Sequence, residues 1–280
     1  MKKSVKIKPL RIISKAFLTL WCAFSVFSLL WVCISSFKTN KEFFSKPWEL
    51  FNTAQIQNYI NVWSNYRLGT YYLNSIFVVA LSVALIVIVS TLAAYIVARV
   101  GMNSVKIIGR IFIFGMGVPN MLLLVPLFFL LNDLRLRNSL IGLALVYTAV
   151  SIPFSIFLIS GFFKNLPHEL EEAAFVDGCG PMPTFFRIML PLGRPGIITA
   201  TIFNFITLWN EFLLSYTFID NDKSYTLSIG LYGLNSSMQY TGEWTTLMAG
   251  IVLIIIPTLF IYLLLSRQII EGMTFGAVKG

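Results

Sequence analysis

Charged side chains and histidine are absent from six long stretches of the chain: Ala16 to Phe37, Leu68 to Ala98, Ile111 to Asn132, Asn138 to Phe163, Pro195 to Asn210 and Trp244 to Ser266. A helix that crosses a bilayer needs roughly 20 predominantly apolar residues, and five of the six stretches reach that length unaided. The other is interrupted by Glu211 and continues through Ile219, which predicts a helix carrying one carboxylate inside the membrane. Lipid offers backbone N–H and C=O groups no partner, and the alternation of a barrel strand is missing, so helices are expected throughout. The predicted limits are Ser14 to Ser36, Tyr72 to Ala98, Ile107 to Leu131, Leu140 to Phe163, Gly196 to Ile219 and Trp244 to Ser266. No internal repeat is evident. Pro119 and Pro126 in the third helix, Pro153 in the fourth and Pro257 in the sixth each withhold one backbone hydrogen bond, which predicts kinks. Close contacts between helices are expected at small residues such as Ala94 with Ala98, Gly115 with Gly117, and Ser151 with Ser155.

Composition turns this pattern into a membrane assignment. Of 280 residues, 57 % are hydrophobic and 12 % charged, with mean hydropathy +0.79, whereas a soluble domain is about 25 % charged. With the N-terminus inside, the cytoplasmic segments carry 14 Lys and Arg against seven outside, from Lys2 through Arg99, Lys164 and Lys279. That bias places both termini in the cytoplasm. The basic N-terminus is read as a topology signal, and no motif points to nucleic acid. The first apolar run exceeds the ~7 to 15 residues of a signal-peptide core and lacks a small-x-small cleavage site, so it is expected to be retained. The expected organisation is a basic cytoplasmic N-terminus at 1–13, an all-α transmembrane domain of six helices at 14–266 with a cytoplasmic loop at 164–195, and a cytoplasmic tail at 267–280. Cys22, Cys33 and Cys179 form neither a disulfide framework nor a metal-ligand spacing and are expected to be packing residues; no metal site is expected.

The loop between the fourth and fifth spans is the most informative segment. Pro167 followed by His168, Glu169, Glu171 and Glu172 has the grammar of a helix start, with acids near the positive end of the dipole. Leu170, Ala173 and Ala174 share one face of that short helix, and Gly178 supplies a permissive backbone just past its end. A second short helix is expected from Thr184 to Leu190, with Phe185, Ile188 and Met189 apolar, closed by Pro191. Two short helices meeting at a glycine would make a stiff knob. Anionic lipid attracts basic segments, so this acidic one fits a protein groove better than a membrane surface.

Glu172-Ala173-Ala174, three residues, Gly178, nine residues, Ile188, one residue and Leu190-Pro191 resembles the EAA loop of bacterial ABC importer permeases, by which such subunits dock on a separate ATPase. Further stretches resemble the carbohydrate branch of that family, close to the smaller permease of maltose and multiple-sugar systems: Ser36-Phe37-Lys38-Thr39-Asn40 with Glu42, Asn74-Ser75, Ile152-Pro153-Phe154, Leu208-Trp209-Asn210-Glu211-Phe212, and Gly272-Met273-Thr274 with the closing Gly276-Ala277-Val278-Lys279-Gly280. The resemblance implies a type I importer fold in the bacterial inner membrane, half of a sugar pathway, a second related permease, two ATPase subunits that bind ATP and Mg, and an extracytoplasmic sugar-binding protein. This chain has no Walker A pattern and is expected to hold no cofactor itself.

The same resemblance assigns ATPase docking to Glu172, Ala173, Ala174, Gly178, Ile188, Leu190 and Pro191, with tail docking by Ala277, Val278, Lys279 and Gly280. Gly230-Leu231-Tyr232-Gly233, in an outer loop from Asp220 to Trp244, resembles the part that faces the binding protein; a glycine-containing surface turn is the plainer reading. Asn204, Trp209, Asn210 and Glu211 are candidates for the translocation pathway. An intramembrane carboxylate faces a cavity or a partner, so Glu211 either lines the route or pairs with a cation or backbone group of the second permease. An importer permease for another solute, and an ion-coupled secondary transporter, remain the alternatives; the latter commonly shows inverted repeats. Enzyme chemistry is not expected, since His168 stands alone with no His-Glu-x-x-His or Gly-x-Ser-x-Gly.

Overall fold

The computed structural model describes the backbone of residues 9–277 and the side chains of residues 11–264. Among these, the regular structure is helical: α1 (Pro9–Ser36), α2 (Asn40–Ser45), α3 (Gln57–Ile60), α4 (Leu68–Arg99), α5 (Asn103–Gly115), α6 (Asn120–Asp133), α7 (Leu140–Lys164), α8 (Glu169–Val176), α9 (Pro181–Thr184), α10 (Leu190–Trp209), α11 (Leu213–Phe218), α12 (Leu227–Thr241) and α13 (Trp244–Ala277). Wider π-type turns at Asn61–Asn65 and Phe185–Met189 extend α3 and join α9 to α10. Four helices are long and apolar enough to cross a membrane, at Arg11–Ser36, Leu68–Arg99, Leu140–Lys164 and Trp244–Leu264.

Two expected spans are not continuous. The third divides into α5 and α6, which meet at 103°. Gly115 and Gly117 remove side-chain support there, Pro119 removes a donor, and the residue before a proline is driven from helical to extended backbone. Pro126, Pro153 and Pro257, by contrast, sit inside their helices. The fifth span begins at Leu190 and stops at Trp209, resuming as α11. The short helix expected from Thr184 to Leu190 is likewise part of a longer path from Pro181 into α10, and Pro191 lies in the first turn of α10 instead of closing anything. A proline in the first turn lacks only an N–H that would have no helical partner. Helix α1 starts at Pro9 and α13 runs to Ala277, past the expected Ser14 and Ser266.

The chain divides into two compact units, Met1–Gly69 with Leu231–Ile255, and Thr70–Gly230 with Ile256–Gly280. In the first, residues 11–34 of α1 include no buried side chain, and Cys22 and Cys33 lie exposed on it where packing had been expected. The stretch after α1 is tightly bonded. Lys38 is fully buried, and its Nζ donates to the carbonyls of Lys46 and Pro47, each at 3.0 Å. The buried Asn58 amide donates to Ser36 O and Lys38 O, and the Thr245 N–H and hydroxyl both donate to Asn40 Oδ1. Buried polar groups need such partners, which explains the polar run Ser36 to Asn40 directly after an apolar helix.

In the second unit α10 lies directly on α7. A Cβ on Gly193 or Gly196 would come within 2.4 Å of Phe163 or Phe162, so only glycine permits that approach. Between helices in lipid, packing and interhelical hydrogen bonds replace the hydrophobic drive. Asn204 supplies one such bond, donating from Nδ2 to Ser155 Oγ at 2.9 Å. Asn74 donates to the carbonyls of Lys223 and Tyr225, and Ser75 Oγ accepts the Leu227 N–H, so this pair holds the segment leading into α12.

Candidate functional site

The loop between α7 and α10 is a built object. Glu169, Glu171 and Glu172 occupy the first turn of α8, where carboxylates meet the positive end of the helix dipole. At its far end the Cys179 N–H bonds Ala174 O at 2.9 Å and the Gly178 N–H bonds Phe175 O at 3.1 Å, with Gly178 at φ +79°. This paired closure needs the left-handed conformation that glycine takes without penalty. Gly180 is extended and Pro181 opens α9.

One side of α8 is anchored to the end of α4. Glu171 Oε2 lies 3.1 Å from Arg99 Nε, and Oε1 accepts the Tyr95 hydroxyl at 2.7 Å. The Arg99 side chain is only 3 % exposed and also donates to Pro167 O. Beneath the clamp lies a core of Ala94, Ile156, Ile159, Phe163, Phe185, Met189 and Ala200. The Tyr95 ring packs on Phe163 and Phe185, with centroids 5.7 and 4.9 Å apart.

That anchoring sets the rotation of α8 and corrects the expected face. Ala173 points out, Ala174 is buried and Leu170 is half-buried, so the three do not form one docking stripe. The exposed row is Glu169, Glu172, Ala173 and Val176, flanked by Phe175; Val176 is 87 % and Phe175 53 % exposed. Gly178 and Pro191 are also at the surface, whereas Ile188 and Leu190 pack against the core beneath. Arg99, Tyr95, Glu171, Phe175 and Val176 were missed. Arg99 was visible as the first charge after a long apolar run, but its partner lies in another element, and Tyr95 and Glu171 are 76 positions apart.

At the opposite end of α10, Glu211 sits in the helix break. Its carboxylate accepts the Tyr147 hydroxyl at 2.5 Å and the N–H groups of Leu214 at 2.6 Å and Ser215 at 3.1 Å. It therefore satisfies donors at the start of α11 that a broken helix would leave bare. Glu211 is half-buried, and the small pocket that it lines with Tyr147 and Trp209 has a cavity volume of about 0 Å³. Trp209 is buried, stacked on Phe205 and edge-on to Tyr72, and these three line an apolar cleft of about 290 Å³. Asn210 is exposed and bonds back to Ile206 O.

Gly230, Leu231, Tyr232 and Gly233 belong to α12, not to a surface turn. A Cβ on Gly230 would meet the Tyr71 ring at 2.2 Å, and Gly233 and Tyr232 face outward. Ala277 ends α13; Val278, Lys279 and Gly280 lie outside the described residues.

Apolar helices of spanning length, joined by a glycine-turned knob and interrupted by a mid-span break, mark a multi-pass membrane protein. Residues 91–273 match the family described as binding-protein-dependent transport system inner membrane component, and the chain belongs to that family. It is 36 % identical over 267 residues to a diacetylchitobiose uptake system permease protein of Streptomyces coelicolor, covering 95 % of this chain and 88 % of the relative. It is 34 % identical over 278 residues to a sulfoquinovosyl glycerol transport system permease protein of Agrobacterium fabrum, covering 98 % and 94 %. The fold is that of a bacterial ABC transporter that imports the polysaccharide alginate, with TM-score 0.82 at 20 % identity over 95 % of this chain and 99 % of that one. The protein is thus an ABC importer permease of type I fold, and its family implies ATPase and binding-protein partners.

Proposed function

We propose that this permease forms half of the route for a sugar or oligosaccharide and pairs with a second, related permease to complete it. Two ATPase subunits bind ATP and Mg, and the outward row of α8, Glu169, Glu172, Ala173 and Val176 with Phe175, enters a groove on one of them. The observation that carries this reading is the anchored knob: α8 is held by Arg99, Tyr95 and the Gly178 closure, yet it presents two large apolar side chains to water. A rigid element with an uncovered apolar tip is suited to transmit force from a partner into α4 and α7. On the outer side, the exposed face of α12 with Tyr232 and Gly233 meets the binding protein. Glu211 holds the helix break in shape, Asn204 ties α10 to α7, and Trp209 with Tyr72 and Phe205 offers ring faces to a sugar. The sugar class follows the named relatives, which handle diacetylchitobiose and sulfoquinovosyl glycerol.

Ala173→Arg places a long cation on the outward row without touching the core. Membrane insertion should persist while ATPase co-purification and coupled ATP hydrolysis fall sharply; full retention of both would defeat the docking assignment. Binding of mono- and oligosaccharides by the cognate extracytoplasmic protein tests the substrate class separately.

A further inference from the structure

We infer that the cleft between α5 and α7 at the cytoplasmic rim is a binding site for an anionic phospholipid of the inner leaflet. The cleft has a volume of about 460 Å³, within the range of about 300–1,000 Å³ typical of small-ligand sites. Its α5 wall is formed by Lys106, Gly109, Arg110 and Ile113, at i, i+3, i+4 and i+7, so both cations share the helical face that looks into the cleft. Its α7 wall ends in Lys164. Deeper in, Val97, Phe112, Ile156 and Leu158 make the lining apolar, with the exposed Phe157 at its edge.

Three observations select the ligand. No Asp or Glu lines the cleft, and among the described residues Lys106, Arg110 and Lys164 make no ion pair. The first turn of α5 has no side-chain cap, so its N–H groups add partial positive charge to Lys106. The cations sit at the mouth and the apolar surface inside, which is the layout of a headgroup above an acyl chain. Basic pockets between helices on the cytoplasmic side hold anionic headgroups in this way. A soluble phosphate compound would satisfy the cations but leave the apolar interior unfilled. Gly109 keeps the α4 side tight, since a Cβ there would stand 2.9 Å from Val97 Cγ1, whereas Gly161 on α7 has nothing within 4 Å of a Cβ and leaves the interior open.

The test uses the importer assembled with its partner subunits in nanodiscs of phosphatidylcholine containing a minor fraction of phosphatidylglycerol, followed by extraction and native mass spectrometry of retained lipid. Phosphatidylglycerol should be enriched over its share in the disc. Changing Lys106, Arg110 or Lys164 singly to Gln should lower that enrichment by about fivefold, from the ~1 kcal/mol that each cation contributes near an anionic lipid surface. Gly161→Leu should lower it equally by filling the cleft while leaving every cation in place. Unchanged enrichment in the triple Gln variant, or in Gly161→Leu, would overturn the assignment. So would displacement of the lipid by millimolar inorganic phosphate, which would mark a free-anion site, or a disulfide between Phe157→Cys and a cysteine on the second permease, which would mark a cleft filled by protein.

Discussion

Two glutamates, Glu171 at the α8 knob and Glu211 at the break between α10 and α11, use the same chemistry for different ends. Each accepts a tyrosine hydroxyl from a neighbouring spanning helix, Tyr95 in one case and Tyr147 in the other. Glu171 spends its remaining capacity on the Arg99 guanidinium, a full charge on a distant element. Glu211 spends its own on two N–H groups three and four residues ahead in its own chain. The first is therefore a clamp between elements, and the second is a cap within one. A clamp transmits displacement from α8 to α4, whereas a cap fixes the angle at which α11 leaves α10.

The isosteric change from Glu to Gln separates the two. Glu171→Gln removes the charge that faces Arg99 and leaves a buried guanidinium without its counter-ion, a loss of about 3–5 kcal/mol. Thermal stability of the detergent-solubilised complex should drop, and the ATPase should be recovered with the permease at least about tenfold less. Arg99→Leu should show the same docking defect, and the double variant Arg99→Leu with Glu171→Leu should regain part of the stability because no lone charge remains. Equal, mild effects from Glu171→Gln and Glu211→Gln would remove the distinction between clamp and cap.

Glu211→Gln keeps one carbonyl oxygen, which can serve the Ser215 N–H and the Tyr147 hydroxyl but not the Leu214 N–H bonded to the other oxygen, and should cost about 1–3 kcal/mol. Glu211→Ala, which orphans those groups and the Tyr147 hydroxyl, should cost about 2–4 kcal/mol, since each unsatisfied buried group costs ~1–3 and the break is partly wet. Uptake by Glu211→Gln should stay near normal at all sugar concentrations, because the pocket that the carboxylate lines is too small to admit a sugar. A large fall in uptake with unchanged melting temperature would give Glu211 a place on the route instead.

The same contrast explains what could be read from the chain. Uncharged runs of 20 or more residues mark most of the spans because the membrane acts on every residue in them. The Gly178 closure was legible because a helix end and its left-handed residue are adjacent in sequence. Glu211 was legible as unusual, but its role was not, since a span drawn through it hid the break that its carboxylate makes tolerable. The facing of α8 was illegible for the opposite reason: Ala173 and Ala174 are equivalent by composition, and only Arg99 and Tyr95, far away in sequence, decide which turns outward. The break at Gly115 to Pro119 lay between these cases, with its residues visible and its 103° angle set by packing.

A backbone change at Gly178 tests the knob without touching the clamp. At φ +79° with nothing within 4 Å of a Cβ, the cost of Gly178→Ala is conformational, about 1–2 kcal/mol. Gly178→Asn should be milder, since its short polar side chain is among the few that visit this region, and Gly178→Val should be worst. Docking efficiency should follow the order Gly, Asn, Ala, Val. If Val docked as well as Gly, the turn would not shape the knob, and the clamp alone would account for its rigidity.

The smallest effect comes from a third carboxylate, which caps a short helix outside the spans. Glu42 accepts the Thr39 N–H and hydroxyl and the Asn52 side chain, while Thr39 Oγ1 accepts the Glu42 N–H, a reciprocal box at the start of α2. The Thr39 backbone bond, followed by that of Asn52, holds the Glu42 carboxyl below its usual range. Its folded pKa is thus lower than its unfolded one, so its contribution is complete above the ordinary carboxylate range and fades as pH falls through the depressed value. Hydrogen exchange at the first amides of α2 should accelerate, relative to its intrinsic pH trend, only in acid, and Glu42→Gln should remove most of that dependence. Both carboxylates are half-buried, but Glu211 also bonds the buried Tyr147 hydroxyl, so the Gln variant should cost less here than at the helix break. A loss at Glu42 as large as that at Glu211 would mean that the bond to Tyr147 adds nothing to the strength of a carboxylate cap.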